Sequence, residues 1–148
     1  MSEPVIRRPS ANRRWPMTTE AWRSLVDEVS EMRADVAALA GKVRDDGVLH
    51  LPATRAARRL EVLSGVLDAA ERVDDSDRAV IGRRATLLEE DGESVSYALV
   101  FPGDGDPAQG WISADSPLGA AVLGAAPGEF VAIVAPAGRR AVKVLAVE

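Results

Sequence analysis

The chain has 148 residues, 47% of them apolar and 28% charged, which suits one ordinary folded domain or two small units rather than a disordered segment. It has no cysteine and one histidine, His50, so disulfides, thiolate metal sites, cysteine nucleophiles and paired-histidine sites are excluded. The net charge of −5 is uneven: from Asp74 onward twelve acids stand against six bases, so the folded part lacks the basic face that grips phosphates.

Residues 1–15 are polar, carry Pro4, Pro9 and four arginines (Arg7, Arg8, Arg13 and Arg14), and read as a flexible tail. No apolar core follows these arginines and no apolar run reaches roughly 18 residues, so neither a secretory signal nor a membrane span is expected.

Thr18 or Thr19 can cap a helix, and Glu20 suits the positive end of its dipole. Beyond them Trp22, Val29, Val36 and Val43 recur every seven residues, with Leu25, Met32 and Leu39 three positions later. Charged residues such as Arg23, Asp27, Glu31 and Arg33 flank this stripe. The heptad spacing predicts an amphipathic helix about 40 Å long, ending near Arg44. Asp45-Asp46-Gly47 breaks the pattern, and Pro52 suits the first turn of a second helix. There Ala56, Leu60, Leu63, Leu67 and Ala70 repeat the spacing. Two such seams joined by a short connection predict an antiparallel coiled-coil hairpin over residues 16–75.

After the polar linker Asp74-Asp75-Ser76-Asp77 the pattern turns to strands. Residues 80–88 and 95–101 flank Glu89-Glu90-Asp91-Gly92-Glu93, a hairpin-turn signal. Residues 102–110 form a loop rich in Gly and Asp, and residues 111–113 a short strand. Ser116-Pro117 opens a short helix that stops before Gly124. Residues 130–134 and 140–147 close a second hairpin around Pro136-Ala137-Gly138. Residues 76–148 therefore read as an α+β domain with an antiparallel sheet.

No catalytic constellation is legible. His50 reads as a solvated loop residue. Gly103-Asp104-Gly105-Asp106 lacks the lysine and helix of a phosphate loop, and is too short for a calcium loop. Asp45 and Asp46 are the only acids between Arg44 and Arg55. They serve the turn, or they meet a metal.

Residues 112–124, Ile-Ser-Ala-Asp-Ser-Pro-Leu-Gly-Ala-Ala-Val-Leu-Gly, are followed by Gly-Glu-Phe-Val-Ala-Ile over 128–133, then Pro136 and Gly138. With a heptad hairpin ahead of it, this arrangement resembles the Gre transcription factors, and Pro16-Met17-Thr18 resembles the family's start. The resemblance covers about residues 16–148. It implies an FKBP-like C-terminal domain that docks at the rim of the RNA polymerase secondary channel. The family's docking loop matches Asp115, Ser116 and Pro117, which also suit a plain helix cap. It further implies that the hairpin enters the channel and brings its tip toward the catalytic magnesium. Here the tip departs from the family. Its cleavage factors carry Asp-Leu-x-Glu-Asn followed by Tyr, and the acids help hold a second Mg²⁺. Residues 44–52 of this chain read Arg-Asp-Asp-Gly-Val-Leu-His-Leu-Pro.

The expectation is a cytoplasmic, monomeric, non-enzymatic regulator with no cofactor and no metal of its own. It would bind RNA polymerase, but neither a membrane nor a specific nucleic-acid sequence. Asp45 and Asp46 would face the polymerase magnesium, and RNA synthesis would be inhibited. Alternatives are a cleavage factor with a divergent tip and a coiled-coil adaptor for another protein. A prolyl isomerase is disfavoured, because fold does not fix function and the chain has only three Trp, two Phe and one Tyr to line a pocket.

Overall fold

The computed structural model describes residues 6–7, 14–46, 51–136 and 138–148, with side-chain surroundings for residues 14–41, 55–134, 136 and 138–148. Helix α1, Thr19–Asp46, and helix α2, Leu51–Asp68, pack together as the hairpin. Thr18 caps α1: its hydroxyl accepts the Ala21 N–H at 3.1 Å. At 1.5 Å per residue α1 is about 42 Å long. Leu25, Val29, Leu63 and Val66 are fully buried near its base, whereas Met32, Val36 and Leu39 are half-buried farther along. A two-helix seam shields only its inner line, so full burial needs the additional layer present at the base. The expected turn at Gly47 and the loop placement of His50 lie outside the described residues.

Helix α2 stops at Asp68 instead of running through Ala70. Strand β3, Ala70–Arg72, pairs parallel with β2, Trp15–Met17, in the register Trp15 to Ala70 and Met17 to Arg72. The Trp15 N–H reaches the Ala69 carbonyl at 3.0 Å, and the Val73 N–H reaches Met17 at 2.8 Å. These bonds to β2 replace the helical ladder, so the backbone loses nothing by leaving the helix. Much of the segment read as a tail falls outside the described residues. Within it, Ile6–Arg7 forms strand β1 and Trp15 opens β2.

The large sheet is built from β4 (Arg84–Leu88), β5 (Ser94–Val100), β6 (Trp111–Ser113), β7 (Phe130–Ala135) and β8 (Gly138–Val147). With β1, the order is β1-β7-β8-β4-β5-β6. The central ladders β7–β8, β8–β4 and β4–β5 are antiparallel, while the edges β1 and β6 join parallel. The first strand begins at Arg84 rather than at residue 80. Ala79, Val80 and Ile81 are buried but pair irregularly: the Ala79 N–H donates to Ala125 and the Ile81 N–H to Pro16. Helix α3, Pro117–Val122, packs on β7 and β6.

Two cores result. One joins the inner sheet face to α3 through Leu87, Leu99, Ile112, Val122, Ile133 and Val144, among others. The other is shared by the hairpin and the sheet domain: Met17, Leu25, Val29, Leu63, Val66, Ile81 and Ala114. The hairpin base is therefore seated on the domain by an apolar joint.

Candidate protein-docking site

The segment between β6 and α3 is built by short-range hydrogen bonds. Ser116 is extended, with φ −69° and ψ 159°, and caps α3. Its hydroxyl accepts the Gly119 N–H at 3.0 Å and donates to the Ser113 carbonyl at 2.7 Å. Pro117 takes the first helical position, where a missing N–H costs nothing. Gly119 passes so close to β6 that an added Cβ would stand 1.9 Å from the Ser113 oxygen. The Ser-Pro pair thus has the structural role its sequence suggested. It also leaves Asp115 and Pro117 exposed. Asp115 makes no hydrogen bond or ion pair among the described residues. Its neighbour Ala114 is buried in the joint core, and the Ala114 N–H donates to Val100 at 3.0 Å. An exposed carboxylate is thereby held on a rigid turn at the hairpin base.

Two polar clamps flank the joint. The Asp74 carboxylate accepts the Thr19 backbone N–H at 2.9 Å and the Thr19 hydroxyl as well. These Thr19 bonds, the hydroxyl first, hold the Asp74 carboxyl below the usual carboxylate range. Slight desolvation opposes them, and Arg83 and Arg72 add to them. The Arg83 guanidinium donates to the carbonyls of Ser76 and Asp74, the latter at 2.7 Å. On the α2 side, Arg59 donates to the Pro102 carbonyl and pairs with Asp104 at 2.5 Å. Sequence reasoning left Asp74 as a linker residue and passed over Arg59. A signal for the first clamp did exist: with Thr18 as the cap, the Thr19 hydroxyl and N–H at the helix start are donors that a nearby carboxylate can accept.

Asp45 and Asp46 are the last two residues of α1; their side chains lie outside the described ones. They sit at the opposite end of the hairpin from Thr19 and the joint. The fold therefore groups Asp115, Ser116 and Pro117, and separates them from the tip by about 40 Å of helix. Among the described residues, no group of three or more His, Cys, Asp or Glu could hold a metal ion. No described helix is long and apolar enough to cross a membrane.

Over residues 74–148 the sequence matches the family model described as transcription elongation factor GreA/GreB, C-terminal. Transcription elongation factor GreA of Thermomicrobium roseum is 30% identical over 155 residues, covering 93% of this chain and 99% of that protein. GreA of Xylella fastidiosa is 32% identical over 154 residues, covering 91% and 98%. Among solved structures, a GreA/GreB factor from Nitrosomonas europaea aligns over 92% of this chain and 98% of its own, at 20% identity and a TM-score of 0.47. GreA factor homolog 1 of Thermus thermophilus aligns over 92% and 99%, at 20% identity and a TM-score of 0.43.

Proposed function

The chain belongs to the GreA/GreB family of transcription elongation factors, and we propose that it binds RNA polymerase at the rim of the secondary channel and inhibits RNA synthesis without stimulating transcript cleavage. One observation carries this reading. The exposed Asp115 and Pro117 are fixed to the hairpin base through buried Ala114, while Asp45 and Asp46 end the helix that leads away from that base. Such a molecule can dock at one end and act at the other. Two adjacent carboxylates brought near the catalytic magnesium attract it strongly in a partly desolvated site. Without the Glu-Asn pair and tyrosine of the cleavage factors, the tip does not supply the near-octahedral ligand set that a second Mg²⁺ needs to activate water. The factor is then a regulator and not itself an enzyme, with no cofactor and no metal of its own.

A stalled, backtracked polymerase complex tests the proposal. The wild-type chain is expected to slow RNA synthesis and release no short 3′ RNA fragments. Asp45→Ala/Asp46→Ala is expected to keep its binding and lose much of the inhibition. Vigorous fragment release would instead make the chain a cleavage factor with a divergent tip. Full inhibition by the double variant would leave obstruction by the hairpin alone.

A further inference from the structure

An open groove of about 480 Å³ lies between the first turns of α1 and the β5–β6 edge. Its floor is apolar, with Ile81 and Leu99 buried beneath it. Phe101 and Trp111 form aromatic walls, and Glu20 and Asp104 bring carboxylates to its lining. Trp111 is 38% exposed on the edge strand, although its neighbour Ile112 supplies the strand's core contact. Trp111 thus keeps part of its ring open to solvent at the groove.

The charges around this ring are left open toward solvent. The Glu20 carboxylate makes no hydrogen bond or ion pair among the described residues. Asp104 gives only Oδ1 to Arg59, which also holds the Pro102 carbonyl and so fixes the loop carrying Asp104. An apolar floor, an aromatic face and two acids together suit a cation on a long aliphatic stem. Such a stem packs on the floor while its charge meets the indole and the carboxylates. The excess of acids from Asp74 onward favours approach of a positively charged segment to this domain. Trp111 and Asp115 lie at either end of the short stretch 112–114.

We infer that this groove receives an arginine or lysine side chain of RNA polymerase, making it a second contact beside Asp115. The inference rests on the proposed function, and its test separates the two. Binding of the full chain to core polymerase is measured for wild type, Glu20→Gln and Trp111→Leu, with thermal melting to show that each variant folds. Each variant is expected to bind about tenfold more weakly, the loss equivalent to one desolvated cation–π or charge contact. Glu20→Gln should also flatten the salt dependence of binding. Wild-type affinity in both folded variants would overturn the inference. A concentration-dependent dimer abolished by Trp111→Leu would also overturn it, by giving the groove to a second copy of this chain.

Should the wild type itself not bind polymerase, the functional reading falls and the groove is judged on its own. Arginine amide is then titrated while the Trp111 indole N–H resonance is followed, assigned by its absence in Trp111→Leu. A saturable shift weakened in Glu20→Gln supports a cation site. No shift up to the solubility limit of the probe overturns it.

Discussion

Asp74 holds Thr19 twice across 55 residues of chain, accepting its backbone N–H at 2.9 Å and its hydroxyl. One carboxylate thereby satisfies a free N–H at the start of α1, sits at the positive end of that helix and ties the linker to the hairpin. Arg83 closes the same linker from the other side by donating to the Asp74 carbonyl. A stretch that reads as solvated connection is a clamp.

That clamp gives a pH signature. The Asp74 carboxyl is held below the usual range by its bonds from Thr19. Its contribution to stability is therefore complete above the unfolded aspartate value, about 3.9. It is lost as pH falls through the lower folded value. Asp74→Asn is expected to melt below wild type at pH 7, with the gap closing on acidification below the unfolded value. Thermal melts from pH 7 to pH 2 check this, and coincident curves at pH 7 would contradict the clamp.

The joint core predicts coupled unfolding. Leu63 is fully buried between α1 and the sheet domain, so Leu63→Ala should cost about 2–5 kcal/mol. Far-ultraviolet signals from helix and near-ultraviolet signals from the tryptophans should still fall in one transition. Val36→Asp lies on the half-buried part of the seam and should cost less. A Leu63→Ala protein whose helices melt separately from the domain would show that the joint is not cooperative.

Two glycines should respond with opposite signs to one methyl group. At Gly119 an added Cβ meets the Ser113 oxygen at 1.9 Å, so Gly119→Ala is expected to destabilise by about 1–3 kcal/mol. At Gly65, in α2, nothing lies within 4 Å of the added Cβ. Gly65→Ala should stabilise by about 0.5–1 kcal/mol through helix propensity. Chemical denaturation of the two variants reads both changes directly.

Variants of the proposed docking turn are expected to separate folding from binding. Ser116→Ala removes the α3 cap and should cost about 1 kcal/mol. Asp115→Arg leaves every described hydrogen bond in place, so its melting temperature should match wild type while polymerase binding weakens. The paired variant Asp115→Arg/Pro117→Ala should weaken binding further. Equal capture of polymerase by wild type and the paired variant would remove this turn from the interface.

The helices were legible because the heptad positions Leu25, Val29 and Leu63 coincide with the buried line of the hairpin. The turn before α3 was legible because Ser116-Pro117 encodes a helix start locally. Other features depend on partners distant in sequence. Ala70 continues a helical spacing, and only pairing with β2 turns residues 70–72 into a strand. Val80 and Ile81 look like the start of a strand, but the pairing of Ala79 with Ala125 and of Ile81 with Pro16 holds them at the junction of two cores. Thr18 and Thr19 are equivalent caps until Asp74 takes one of them. The Trp111 groove has no linear signature, because its lining comes from the first turns of α1 and from a sheet edge.

The one-sided seating of the hairpin turns it into a lever. From Val29, in the joint, to Asp46 is 17 residues of helix, about 26 Å, so each degree of rotation at the joint carries Asp46 through about 0.45 Å. Ten degrees would sweep it across about 4.5 Å, about twice the roughly 2 Å length of a magnesium–oxygen bond. Accuracy at the tip is thus set by Leu25, Val29 and Val66, buried at the fulcrum. If the chain acts as proposed, loosening those contacts would spoil the aim of Asp45 and Asp46 before it weakened binding through Asp115.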